Sequence, residues 1–431
     1  MEWERIASPR VGDCYYRGRH SSGLEIILYP KETGSSTQAV LGVKYGSVHN
    51  SFQWEGESAP EAMPEGAAHY LEHKLFESEE EDAFARFAET GANANAYTGE
   101  ESTCYVFSCT DRLYDSLKIL LDFVQSPYFT EETVAKERGI IGQELTMYQD
   151  SPSWRVFFNY LRAMYHVHPV REDVAGTRES IARITPAHLY RCHEAFYSPS
   201  NMILAIVGKF DRDKVAALCD EMFRLVPASR VEPLFPDEPE TVARSRIEQE
   251  LSVAIPVFQF GYKCGGAPRD EKDLAAMGVL LSVLASDASP LFRRLLDQEL
   301  INESSFSYQY FEGTGYATVI FGGESKDPER AARLIQEEVR EMGAKGIPEE
   351  AFHWAKRSLY GDCVSSLNSA AGVAQWLTDF AFQGQELFTY IDALAELTIE
   401  QAEEKLKDLR EDRSVLSVIR PLKSARKDET Q

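Results

Sequence analysis

Apolar positions along this chain follow two periods. Tyr105-Val-Phe107, Met202-Ile-Leu204, Thr318-Val-Ile320 and Val415-Leu-Ser417 are compact apolar runs of strand type, whereas two other stretches space their apolar residues as helices do. From His69 to Leu75, Leu71 and Leu75 point to one side. From about Thr130 to Asp150, Val134, Ile141, Leu145 and Tyr148 share a side. Strands alternating with helices in a chain of 431 residues predict an α+β (α/β sandwich) protein large enough for two cores.

The pattern also repeats. Tyr105-Val-Phe107 resembles Thr318-Val-Ile320, Thr185-Pro186 resembles Thr398-Ile399, and Met202-Ile-Leu204 resembles Val415-Leu-Ser417, each pair 213 positions apart. A repeat of that length means two copies of one domain and not a solenoid. Between the copies, Pro227 to Arg244 is rich in Pro, Glu and Arg and weak in periodicity. The expected domains are residues 1–228 and 246–431, joined by a linker over 229–245.

Polar residues set into the two helical stretches carry the chemistry. At about 100° per residue, His69, Glu72 and His73 of His69-Tyr-Leu-Glu72-His73 fall within one arc, opposite Leu71 and Leu75. Two imidazoles one turn apart can reach a single zinc ion, and the carboxylate beside them can take a proton from water held there. This is the inverted counterpart of the zincin motif. A catalytic zinc takes three protein ligands and keeps one open position, and Glu144 is the best candidate for the third. Glu137 and Glu144 lie close to the apolar side of their helix, where a carboxylate is costly unless its charge is compensated. A metal on Glu144, with Glu137 orienting a ligand behind it, provides that compensation.

The surrounding sequence resembles the family of pitrilysin, insulysin and the mitochondrial processing peptidase, which are zinc peptidases with the inverted motif. The resemblance runs through Pro64 to Phe76, Gly91 to Thr98, Lys136 to Leu145, His168 to Arg171, Ala175-Gly-Thr177 and Tyr197 to Met202. It implies His69, His73 and Glu144 as zinc ligands, Glu72 as general base and Glu137 as a supporting acid. It also implies that Asn95, Ala96 and Tyr97 lie on an edge strand that binds an extended peptide, with Asn95 near the scissile carbonyl. The fold it implies is two similar domains, each a mostly antiparallel sheet backed by helices, which together make one half-shell. The second domain lacks the motif, since residues 213 positions beyond His69, Glu72, His73 and Glu144 are Ser282, Ala285, Ser286 and Arg357.

One departure stands out. In many relatives the metal-free type of domain supplies an arginine and a tyrosine after a Leu-Phe-x-x-Leu pattern. Here the pattern is Leu291-Phe-Arg-Arg-Leu295, and Leu296 and Glu303 occupy those two positions, while Tyr308 and Tyr310 read as strand residues. The resemblance therefore implies a second half-shell subunit as partner, a homologue without the motif or else a second copy of this chain. The alternative reading is a non-catalytic structural or assembly subunit of the same fold.

Charge and cysteine content narrow the classes further. A net charge of −24 argues against nucleic acid or an anionic membrane as partner. No apolar run near 18 residues is expected, and Met1-Glu-Trp-Glu-Arg lacks the order of a signal peptide, so a cytoplasmic protein is expected. The seven cysteines are scattered, without metal or disulfide spacing. The His166-Val-His168 pair is read as a packed loop rather than a metal site.

Overall fold

The computed structural model describes residues 1–32, 34–79, 81–223, 231–266 and 270–422. The end of the expected first domain, 224–228, and the start of the expected linker, 229–230, lie outside the described residues. Contacts group the chain into two compact units that are not contiguous in sequence: Met1–Leu145, Asp173–Phe235 and Tyr360–Ala395 form one, and Thr146–Glu172, Pro236–Leu359 and Glu396–Gln431 the other. The continuous stretches expected from the repeat thus exchange a helical segment each.

In the first unit a seven-stranded sheet runs in the order β1 (Trp3–Ser8), β2 (Asp13–Arg19), β3 (Glu25–Pro30), β9 (Met202–Gly208), β4 (Thr37–Val43), β8 (Thr103–Cys109) and β7 (Asn93–Thr98). Only the β3–β9 pairing is parallel. A small sheet of β10 (Val231–Pro233), β5 (Ser51–Trp54) and β6 (Glu61–Ala62) accompanies it. The expected linker therefore contains a strand at its start. The second unit has five strands in the order β11 (Arg246–Leu251), β15 (Ser414–Pro421), β12 (Val257–Lys263), β14 (Tyr316–Glu324) and β13 (Ser307–Gly313), with β11–β15 the one parallel pair.

That order repeats β3-β9-β4-β8-β7 of the first unit, pairing directions included. The sequence repeat explains why. Tyr105 and Thr318 lie on β8 and β14, Met202 and Val415 on β9 and β15, and Thr185 and Thr398 each cap the start of a helix. The cores are apolar strand faces covered by helices. In the first unit Ile26, Leu28, Leu41, Leu204 and Ile206 are fully buried, and Val373, Ala374 and Leu377 of the helix Ala370–Phe382 pack on the sheet. In the second unit the helix Pro152–Met164 covers β15 and β12. Each such large side chain taken from water contributes about 1.5–3 kcal/mol.

One stretch, Glu271–Asp297, is long and apolar enough by composition to cross a membrane, contrary to the expectation that no such run exists. It forms two helices, Glu271–Ala285 and Pro290–Asp297, and 67% of its most apolar window is buried. Those are the traits of a core helix.

Candidate metal centre

The helix Ala67–Leu75 begins at Gly66, whose φ of 87° favours glycine. A Cβ there would lie 2.6 Å from the carbonyl oxygen of Ala175, so Ala175-Gly-Thr177 packs against the helix start. Tyr70, Leu71 and Leu75 are buried, and the Tyr70 hydroxyl donates to the Val134 carbonyl of the helix Glu131–Asp150. That second helix buries Val134, Glu137, Ile141, Gly142 and Leu145. Glu137 and Glu144, two turns apart, thereby face His69 and His73.

The Nε2 atoms of His69 and His73 stand 3.7 and 3.6 Å from Glu144 Oε2, and one ligand atom from each of the three residues lies within 4.8 Å of the others. Tetrahedral ligands at zinc distances are about 3.3 Å apart, so the two imidazole–carboxylate separations lie close to those of a zinc site. Two imidazoles and one carboxylate also form a donor set found in catalytic zinc sites. His69 Nδ1 is buried without a hydrogen-bond partner, and its Nε2 is the ring atom that faces Glu144. Burial, helped by neighbouring His73, pushes the His69 pKa down to about 3, so the ring is neutral, as a metal ligand must be. The arrangement fits zinc.

Two acids flank the triad. Glu137 Oε1 lies 2.9 Å from His73 Nδ1 and fixes that ring's orientation. Burial works against charge on both groups, but their mutual hydrogen bond and attraction hold the Glu137 pKa below and the His73 pKa above the ordinary values. Glu72, 8% exposed, is not one of the three candidate ligands, and its Oε2 accepts a 2.7 Å hydrogen bond from Thr98 Oγ1. Burial raises the Glu72 pKa, opposed by the Thr98 bond and the nearby His73. The sequence marks Thr98 only as the end of the edge-strand segment beside the site and gives Tyr70 no role; the alternation that turns Thr98 toward the motif helix is the signal for its bond to Glu72.

The peptide-binding candidates lie on β7, which is the last strand of its sheet. Asn95 is exposed and its Oδ1 accepts from the Ala96 amide at 2.9 Å; Ala96 is half-buried and Tyr97 is 37% exposed. By strand alternation Asn95 and Tyr97 project from the face opposite Thr98, away from Glu72. Leu296 is half-buried in the helix Pro290–Asp297, and Glu303 is exposed. Arg293 is exposed, Arg294 pairs with Glu338, and Tyr308 and Tyr310 lie on β13. His168 Nε2 meets the Thr314 carbonyl at 2.9 Å and its Nδ1 accepts from the Val170 amide, the packed loop expected for that pair.

Glu137→Gln removes the charge behind His73 but keeps a hydrogen-bonding group. Its zinc affinity is expected to fall about 10–100-fold, read by competition with a chromophoric chelator. Unchanged affinity would remove Glu137 from the site.

Two comparisons define the family. Residues 28–178 match the family described as insulinase (peptidase family M16), and residues 183–359 match the M16 inactive domain. The Bacillus subtilis protein YmfH, described as an uncharacterized zinc protease, is 36% identical over 410 residues, covering 94% of this chain and 95% of YmfH. The chain belongs to peptidase family M16. A solved structure from Alicyclobacillus acidocaldarius, described as M16-like, superimposes with a TM-score of 0.91 at 36% identity, covering 98% of this chain and 99% of that one. At 18% identity the fold also matches the periplasmic protease PqqL of Escherichia coli with a TM-score of 0.74, covering 96% of this chain but 48% of PqqL.

Proposed function

We propose that this chain is a zinc metalloendopeptidase that hydrolyses peptide bonds in short or unstructured peptides. The observation that carries the reading is the convergence of His69, His73 and Glu144 on one point, with the buried carboxylate of Glu72 beside them. His69, His73 and Glu144 would hold the ion, and Glu137 would orient His73. Zinc, when bound, supplies a Lewis acid that makes water more acidic and polarises a carbonyl. Glu72 takes the proton from the attacking water and returns it to the leaving amine. Thr98 holds its carboxylate in place. The free edge of β7 suits a peptide added as a further strand, which selects chains without structure of their own.

The chain also fits one half of a two-half enclosure, completed by a motif-less homologue or by a second copy. Its match to about half of PqqL supports that size relation, and Leu296 and Glu303 support a substrate clamp supplied from elsewhere. The same two residues favour the scaffold reading as the second candidate. We place the protein in the cytoplasm, a reading supported by seven unpaired cysteines, six of them buried.

The test is cleavage of a mixed library of unstructured peptides by zinc-loaded protein, alone and with candidate motif-less homologues. Cleavage that depends on added homologue is the expected result. Cleavage by the chain alone would assign the clamp to this chain or its dimer, and silence in both arms would favour the scaffold.

A further inference from the structure

The two faces of β7 meet different neighbours. Thr98 reaches Glu72 on one face, while Tyr97 lies on the other, at the end of a cross-strand row from Gly42 to Cys104 to Tyr97. The helix Ala370–Phe382 presses on this row because Gly42 has no side chain: a Cβ there would lie 2.7 Å from Thr378 Cγ2 and 2.8 Å from Phe382 Cε2. Next to Thr378, half-buried Asp379 acts electrostatically on both Tyr97 and Cys104. Its Oδ1 accepts from Gln375 Nε2 at 2.7 Å, one turn back on the same helix. Among the described residues no lysine, arginine or histidine pairs with this carboxylate. Lys44, at the end of the helix, donates instead to the Phe382 carbonyl at 2.9 Å.

A half-buried carboxylate without a cation is costly to maintain. Burial accordingly pushes the Asp379 pKa up to about 6, which still leaves it mostly ionised at neutral pH. A peptide strand laid along β7 would send alternate side chains to the two faces, and those on the Tyr97 face would lie beside its cross-strand neighbours. We propose that Asp379 is a specificity residue of the β7 peptide site, receiving a lysine or arginine side chain from the peptide row on the Tyr97 face, with the Tyr97 ring against its aliphatic stem. This deepens the peptidase reading and rests on it for the peptide's path. It names the substrate class as peptides with a basic residue at one alternate position, in keeping with a chain of net charge −24.

The experiment compares peptides that differ only in carrying Lys, Gln or Glu at each position in turn. Wild type, Asp379→Asn and Asp379→Lys are measured by kcat/KM, with the partner present if cleavage needs it. The same peptides are measured for binding by fluorescence anisotropy in the Glu72→Gln background. Asp379→Asn keeps an acceptor for Gln375, so it removes charge without removing the local hydrogen bond. Wild type is expected to prefer Lys over Gln by about tenfold at one position; Asp379→Asn should level that ratio and Asp379→Lys should turn it toward Glu. A Lys preference that survives in Asp379→Asn, or its absence in wild type, overturns the proposal. If no peptide is cleaved by any protein, the peptidase reading falls, and the binding ratios alone decide Asp379 on the same terms.

Discussion

Glu72→Gln is expected to abolish peptide cleavage while leaving bound zinc and the unfolding midpoint at wild-type levels. The size follows from the role: a positioned general base contributes about 10²–10⁴-fold to a rate, and glutamine cannot accept the proton. The selectivity follows from the geometry. Glu72 is not among the three candidate ligands, so the ion's protein contacts stay intact. Its side chain is held by Thr98 at 2.7 Å, and the glutamine amide oxygen can accept that same bond. Loss of zinc from Glu72→Gln would mean that the carboxylate shares in metal binding. Wild-type turnover by a fully metallated Glu72→Gln would mean that another group takes the proton.

The clustering of His69, His73 and Glu144 was legible because helical periodicity turns sequence spacing directly into a shared face. His69 and His73 are one turn apart, Glu137 and Glu144 two turns apart, and each pair needs only its own helix to be aligned. The equivalence of the two sheets was legible through the repeat, since Tyr105 and Thr318 occupy equivalent strands, whereas the strand order was not. What decided the rest was packing between distant segments. Nothing local in Pro152–Met164 states that it covers β15, or in Ala370–Phe382 that it covers β9 and β4; those choices rest on shape, as at Gly42. The same holds for Thr98. Its hydroxyl matters only because β7 sits beside the motif helix.

Charge was the least legible property. The acidic run Glu77 to Asp82 reads as a solvated loop or helix start, and Asp82 does cap the helix Ala83–Thr90 by accepting from the Phe84 amide. Glu238 carries no such label, lying in a stretch that looked like featureless linker, yet it is among the most buried carboxylates of its unit. A single acid in a polar segment gives no sign of whether a cation waits for it elsewhere in the chain.

Breaking the Glu238–Lys263 pair is expected to cost the second unit about 3–5 kcal/mol, because one charge is then left buried without its partner. The side chains are 7% and 6% exposed. Lys263 Nζ donates to Glu238 at 2.6 Å and to the carbonyls of Pro239 and Thr241 at 2.7 and 3.1 Å. The carboxylate also accepts three successive amides, from His166 at Oε1 and from Val167 and His168 at Oε2, at 2.8–2.9 Å. The pKa directions of the partners differ in what they say about the pair. Burial pulls Lys263 below its ordinary value despite Glu238, whereas for Glu238 burial is outweighed by Lys263 and the three amides, which hold its carboxyl below the usual range. The carboxylate governs acid stability, because its titration falls at low pH while the lysine stays protonated throughout that window. A depressed carboxylate pKa contributes stability above the unfolded value, near 4.3, and loses it as pH falls through the folded value. Chemical unfolding at pH 7 should therefore show Lys263→Met and Glu238→Gln both strongly destabilised, and the double variant less so than the two effects added. Between pH 5 and 3 wild type should lose stability that Glu238→Gln has already lost, so their difference should shrink. A difference that stays constant across that range, or single variants within about 0.5 kcal/mol of wild type, would show that the pair does not hold this unit together.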